Sequence, residues 1–369
     1  MERMSHEEYT KKWEEELVYA KNVVENFKKT SDKRVMYKDS RPIVNIKHMW
    51  ETSVEKFENN VAFHVKDKQE EAYRKITYRE AKSDVDALGT ALIAMGLKGE
   101  KIGVIGDNRY EWAISYLAIM CGVGIVVPLD KELTANELAQ LMKAADVECI
   151  IFTKKYEQIF KEMKDWEGSS LKILINMDAK TKDETVFSLK ETIEGGKELL
   201  KMGNRYFLDA QIDRDRMGEI LFTSGTTGVA KGVMLSQGNI VEDLMAAPTL
   251  LKVEPEDIFF SVLPIHHTYE CTCGFLMPIY KGASVAYCEG LKYIVKNLSE
   301  VRPTMFLGVP LIFESHYKKI WQNAKKTGKE KMLKKMIAIN NKTKKVGINL
   351  GPLFLKQITA LFGGRMRMM

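Results

Sequence analysis

Short apolar segments alternate with capped helices along most of this 369-residue chain, and that rhythm restricts the fold more than any single residue does. Thr77-x-x-Glu80 reads as a capping box, in which a threonine hydroxyl and a glutamate carboxylate close the first turn of a helix reciprocally. Val85, Leu88, Leu92 and Met95 follow at helical spacing up to Gly96. Residues 101–105 predict a short buried strand, 110–120 a helix and 126–129 the next strand. Thr134-x-x-Glu137 is a second capping box ahead of Leu138, Leu141 and Ala145, and residues 149–153 and 171–176 predict further strands. Beyond residue 239 the alternation resumes. Helices are expected at 240–251, 291–301 and 311–321, and strands at 258–263, 284–287 and 304–308. Strands joined by helices run parallel and are covered on both faces, so the fold class is α/β with βαβ layers. Residues 1–45 are polar and helix-prone and read as an N-terminal helical extension. Residues 46–369 then form the main domain, and the 45% apolar content is enough for a large core.

Residues 223–232 read Thr-Ser-Gly-Thr-Thr-Gly-Val-Ala-Lys-Gly, between the apolar runs 218–222 and 233–235. A loop between two strands with four hydroxyls, three glycines and one lysine suits a polyphosphate. Glycines let backbone N–H groups crowd an anion, hydroxyls donate further bonds and the lysine supplies charge. One ammonium about 4 Å from a phosphate charge gives roughly 4 kcal/mol at an effective dielectric near 20. A neutral hydroxyl gives nearer to about 1 kcal/mol. Lys231 should therefore dominate affinity, with Gly225 and Gly228 setting the geometry. The spacing excludes a Walker loop, because Ala230 stands where its second Gly belongs and Gly232 follows the lysine. No Gly-x-Gly-x-x-Gly run occurs either.

Fifty-six basic residues against 50 acidic ones give a mild +6 excess, much of it between residues 318 and 345. Lysines at helical intervals there read as a solvated helix face; the alternative is a surface for anionic headgroups or other phosphates. Trp321 is the single aromatic residue among them, too little interleaving to suggest nucleic acid. Five cysteines without framework spacing, and a first thirty residues charged throughout, predict a cytoplasmic chain with reduced thiols. Residues 112–129 carry no charge and are long enough to raise a membrane span. Gly122, Gly124 and Pro128 interrupt them, which predicts a buried helix running into a buried strand. His266 and His267 lie close to Cys271 and Cys273, but the spacing fits no common zinc pattern, and buried structural thiols are the default. Glu270 is a lone carboxylate that could orient His267 or cap the helix after it.

These residues identify a resemblance. The 223–232 run, the segment Leu-Pro-Ile-His-His-Thr-Tyr-Glu at 263–270 and the segment Arg-Pro-Thr-Met-Phe-Leu-Gly-Val-Pro at 302–310 resemble the AMP-forming adenylating superfamily of acyl-CoA synthetases, peptide-synthetase adenylation domains and luciferases. Within it the chain looks most like a bacterial long-chain fatty acyl-CoA synthetase, and the resemblance runs from about residue 45 onward. It implies the large N-terminal domain of the adenylate-forming fold. It also implies a two-step reaction in which a fatty carboxylate attacks the α-phosphorus of ATP and coenzyme A then displaces AMP, with Mg²⁺ as cofactor.

By the same resemblance Thr223, Ser224, Gly225, Thr226, Thr227, Gly228 and Lys231 would clamp the phosphates, Thr226 serving as a metal-side oxygen. His267, Thr268, Tyr269, Glu270, Gly308 and Pro310 would line the acyl side. Lys231 and His267 would be the catalytic pair; peripheral contact with the inner membrane face belongs to the alternative reading of the lysines at 318–345. The family's Tyr-Gly-x-Thr-Glu segment, its ribose-binding Asp and its C-terminal lid domain do not occur in these 369 residues. The large domain is thus expected to be incomplete, and the chain as given is expected not to form the thioester. Two other readings remain: a ligase for another carboxylic acid, and a non-catalytic nucleotide- or acyl-binding remnant.

Overall fold

The computed structural model describes residues 5–66, 71–223, 230–348, 350, 359–360 and 362–369. Among them the strands are, in chain order, β1 (Val61–Val65), β2 (Arg74–Thr77), β3 (Lys101–Ile105), β4 (Ile125–Pro128), β5 (Cys149–Phe152), β6 (Ile173–Asn176), β7 (Val186–Ser188), β8 (Met217–Thr223), β9 (Lys231–Ser236), β10 (Ile258–Ser261), β11 (Ser284–Tyr287) and β12 (Met305–Phe306). They form a seven-stranded sheet of order β7-β6-β5-β3-β4-β8-β9 and a five-stranded sheet of order β12-β10-β11-β1-β2. Only β8–β9 in the first sheet and β1–β2 in the second are antiparallel.

Successive strand residues face opposite ways, and here both faces are apolar, as a parallel sheet covered on two sides requires. Ile102 and Val104 of β3 join one core with Phe63, Phe259, Val285 and Met305 of the other sheet. Ile105, Val127 and Phe152 point away from it, onto a second cluster with Leu138 and Phe160. Phe260, Ala286 and Phe306 face a third cluster with Ile294 and Leu298. The result is five layers: outer helices, seven strands, a shared helix layer, five strands and an outer helix. Within the shared layer the ring of Tyr110 meets Phe63 at 5.4 Å, and Trp112 and Tyr116 meet Phe275 edge-on at 6.3 and 5.9 Å.

The two expected capping boxes start their helices in place, whereas the helix expected from residue 240 starts at Gln237, capped by Ser236, and the one expected from 291 opens with a 3-10 turn before Ile294. Thr77 and Glu80 close the first turn of the helix Tyr78–Ala94, and Thr134 and Glu137 that of Ala135–Ala145. Residues 112–129 are a buried helix passing into a strand, and among the described residues no helix is long and apolar enough to cross a membrane. The expected helix 110–120 ends early, however. It is α-helical over Tyr110–Ala118 and finishes in a π-turn, Ile119–Val123, where Gly122 takes φ +154°. That backbone is closed to residues with a Cβ. Pro248 likewise converts the end of the expected helix 240–251 into a 3-10 turn after Gln237–Ala246. The last helix expected, 311–321, runs from Pro310 to Lys326. Strands β1, β2 and β7 carry no clear sequence signal; His64 interrupts β1, and its buried Nε2 lies 3.1 Å from the Ser284 hydroxyl.

The N-terminal helix His6–Lys29 buries Ala20 and Val24 against the body, and Lys12 Nζ reaches Asp213 at 2.7 Å and Asp215 at 3.0 Å. At the far end, the eight lysines singled out between residues 318 and 335 are all exposed, while Ala324 and Leu333 anchor their two helices.

Two adjacent glycines in the helix Leu189–Lys201 separate packing from propensity. A Cβ on Gly196 would lie 1.9 Å from the Ala87 carbonyl oxygen, whereas one on Gly195 meets nothing within 4 Å. Gly196→Ala should therefore cost about 1–3 kcal/mol by prising the two helices apart. Gly195→Ala should stabilise by about 0.5–1 kcal/mol through helix propensity. Urea denaturation of both variants checks this; equal effects would contradict the close approach.

Candidate functional site

Parallel strands deliver the loops that follow them to one edge, where α/β proteins place ligands. β3, β4 and β8 are parallel neighbours, so Asn108, Asp130 and Thr223 mark one edge of the seven-stranded sheet. β10 and β12 are parallel neighbours in the other sheet and lead into residues 262–269 and 307–310. The Asn108 side chain joins the two edges: its amide donates to Ser261 Oγ at 2.8 Å and to the Leu263 carbonyl at 2.6 Å, and its oxygen accepts from Ile265 N at 3.1 Å. A second contact follows one residue on, where His266 Nε2 lies 3.6 Å from Asp130 Oδ2.

Thr223 and Lys231 pair in register at the mouth of the β8–β9 hairpin, so the two ends of the expected phosphate loop stand side by side. Lys231 is exposed. Ser224, Gly225, Thr226, Thr227 and Gly228 lie outside the described residues. His267, Thr268 and Tyr269 are exposed in the loop after β10, while Glu270 is completely buried at the start of a π-helical segment, Glu270–Leu276. Gly308 and Pro310 follow the neighbouring strand β12, with Pro310 at the first turn of its helix. The acyl-side residues therefore share one sheet edge.

Of the two histidines, His266 is the buried one, and desolvation pushes its pKa down to about 4, keeping the ring neutral. Glu270 does not hold His267: both carboxyl oxygens are buried without a well-formed hydrogen bond among the described residues, and the Ser261 hydroxyl is the polar group that acts on them. Its carboxyl packs on Gly274, where a Cβ would sit 2.7 Å from Glu270 Cδ. Burial pushes Glu270 up to about 8, against the opposing pull of the Ser261 hydroxyl. Glu219, in the middle of β8, is pushed up to about 7 for the same reason, while the Tyr116 hydroxyl donates to it at 3.2 Å. Cys271 is a buried free thiol and Cys273 a half-buried one.

Sequence reasoning missed Asn108, Asp130, Ser261 and Glu219. An Asp-Asn pair after β3 and an aspartate after β4 were the available signals, but their partners come from β10, far along the chain. The cavities at Trp166 and Leu171, about 190 Å³, and beside Trp321, about 370 Å³, are not lined by any of these loop residues.

The two buried acids imply a pH dependence. The folded chain holds protons on Glu270 and Glu219 in a range where the unfolded chain has released them. Their contribution to stability is complete below the ordinary carboxylate range and is lost as pH rises through about 7 to 8. Each unit of displacement corresponds to about 1.4 kcal/mol. The melting temperature should fall from about pH 5 to about pH 9, and Glu270→Gln should flatten that fall. A variant profile parallel to the parent's would contradict the burial argument.

Known proteins resemble this chain in sequence and in fold. A family model described as AMP-binding enzyme matches residues 50–364. Long chain acyl-CoA synthetase 2 of Arabidopsis thaliana is 29% identical over 271 residues, covering 69% of this chain and 40% of the relative. Long-chain-fatty-acid–CoA ligase 1 of Cavia porcellus is 27% identical over 331 residues, covering 82% and 46%. The chain thus spans about half the length, or less, of the curated relatives it matches. Among solved structures, the anthranilate CoA ligase AuaEII in complex with anthranoyl-AMP superposes with a TM-score of 0.65 at 19% identity, covering 74% of this chain and 51% of that one. The N-terminal domain of FACL13 from Mycobacterium tuberculosis gives 0.62 at 17% identity, covering 73% and 64%. These likenesses show the shared α/β fold. Fold and family match together place the chain: it belongs to the AMP-binding enzyme family.

Proposed function

We propose that residues 46–369 are the large-domain part of an AMP-forming ligase that joins a long-chain fatty acid to coenzyme A, with residues 1–45 as a docked helical extension. One observation carries this reading. Thr223 and Lys231 flank a Gly/Thr-rich segment on the strand beside the one whose end meets the His266 loop. A phosphate site and a second site for the acyl carboxylate would then face each other across one crevice. The names of the curated relatives support the fatty-acid and coenzyme A parts.

In the first step a carboxylate oxygen attacks the α-phosphorus of ATP and the bond to the β-phosphate breaks, releasing pyrophosphate and leaving acyl-AMP. In the second the sulfur of coenzyme A attacks the acyl carbonyl, loses its proton, and AMP leaves. The carboxylate is a weak nucleophile, so alignment and charge neutralisation must supply the rate. Thr223 to Gly228 would present hydroxyls and backbone N–H groups to the phosphates, and Lys231 the compensating charge. Thr226 is the proposed protein oxygen toward the Mg²⁺ that accompanies ATP. A neutral hydroxyl is the kind of hard oxygen ligand that Mg²⁺ accepts, and the ion would supply charge neutralisation for the phosphates. His267, Thr268 and Tyr269 would flank the reacting carboxylate, and Gly308 and Pro310 would shape the acyl channel. Glu270, neutral through burial, brings no second negative charge beside that carboxylate. We place the protein in the cytoplasm, with the exposed lysines of residues 318–335 turned toward anionic lipid at the inner membrane face.

Pyrophosphate release with palmitate, benzoate, acetate and amino acids, measured on the longest product of the reading frame, tests the reading; palmitate should be preferred. Lys231→Ala should lower adenylation about 100-fold or more. It should leave the melting temperature nearly unchanged, as expected for an exposed charge. Activity within about twofold of the parent would refute Lys231 as the main phosphate charge.

A further inference from the structure

Three side chains from two loops meet at the contact between the sheets. Asp130 follows β4, and His266 and His267 follow β10. One ligand atom from each lies within 4.8 Å of the other two. Asp130 Oδ1 accepts from Glu132 N at 2.9 Å, which leaves Oδ2 turned toward His266. His266 is 8% exposed, and its Nε2 is buried without a hydrogen-bond partner among the described residues. A buried imidazole nitrogen without a partner is costly unless something fills its coordination. The neighbouring cation does not fill it, because Lys131 Nζ is tied to Asp107 at 2.6 Å.

We propose that Asp130 Oδ2, His266 Nε2 and one ring nitrogen of His267 form a binding site for a divalent transition-metal ion of the zinc class. The donor set is the borderline one that zinc prefers, two imidazole nitrogens and a carboxylate oxygen. The geometry is close to what the ion demands. Bonds of about 2.0–2.1 Å in a tetrahedral site put ligand atoms roughly 3.3 Å apart, and the His266–Asp130 separation is 3.6 Å. Closing the set from 4.8 Å needs side-chain movements of about 1 Å. The exposed side of His267 leaves the fourth position to water or a small anion.

The backbone around the ligands is already held. Asn108 fixes Ile265 N, and His267 N donates to the Pro264 carbonyl at 3.0 Å. Such support spares the ordering cost that a flexible loop would meet. The cluster of Glu16, Asp213 and Asp215 is a poorer candidate, because Lys12 Nζ already sits on both aspartates. The site joins β4 of one sheet to β10 of the other, so a bound ion would tie together the two edges of the crevice. It stands whether or not the ligase reading does.

The test uses the full chain, stripped with a chelator and titrated with Co²⁺ and then Zn²⁺, without nucleotide or acyl substrate. One Co²⁺ per chain should bind at micromolar concentration with the intense visible absorption of a tetrahedral site. Zn²⁺ should displace it and raise the melting temperature. Asp130→Ala, His266→Ala and His267→Ala should each weaken binding about 10–100-fold or more. His267 is exposed, so its variant keeps the test open if the His266 variant fails to fold. Cys273→Ser combined with Cys288→Ser should leave binding unchanged. Absence of micromolar binding, binding that survives the triad substitutions, or binding lost with the cysteines would each overturn the proposal.

Discussion

A single side-chain amide holds the two sheets in register where it matters. Asn108 leaves β3 of the seven-stranded sheet and bonds Ser261, Leu263 and Ile265, the residues that carry the chain out of β10 in the other sheet. The helix layer between the sheets spaces them through Phe63, Trp112, Tyr116 and Phe275, but apolar packing is non-directional and would tolerate a slide. The amide supplies direction. With it in place, His266 arrives at Asp130 and Glu270 arrives beneath Ser261.

The interior near that contact is polar in a way that costs stability. Glu219 and Glu270 are buried carboxyls with raised pKa values, and Glu270 makes no well-formed hydrogen bond among the described residues. Apolar residues would pack there at lower cost. Local violations of packing logic of this kind concentrate where proteins bind or react. Here one lies within β8 and the other at the start of the π-helical segment that follows the His266 loop. The rest of the core is conventional: alternating strand residues fill three apolar clusters, and capping boxes set the helix starts.

Much of this was legible locally. Thr77 and Glu80, and Thr134 and Glu137, are three residues apart, so their reciprocal bonds form whatever the rest of the chain does. Residues 102–105, 149–152 and 285–287 are runs without a charged or hydroxylic aliphatic residue, and they became buried parallel strands. The phosphate-loop composition was readable because one short segment contains the whole chemical requirement. Three strands escaped notice for an equally local reason: β1 is interrupted by a histidine, and β2 and β7 are short and partly exposed.

The sequence by itself determined the α/β class, the helix starts, the family and the segment with phosphate chemistry, because each is encoded by neighbours a few residues apart. The tertiary structure alone decided which histidine is buried, that Asp130 joins the pair, that Asn108 bridges the sheets and that Glu270 is buried deeply enough to favour its neutral form. Those properties depend on loops from β3, β4 and β10 meeting across the helix layer. Burial and proximity between distant segments are set by how layers pack, and no local pattern of residue types records them.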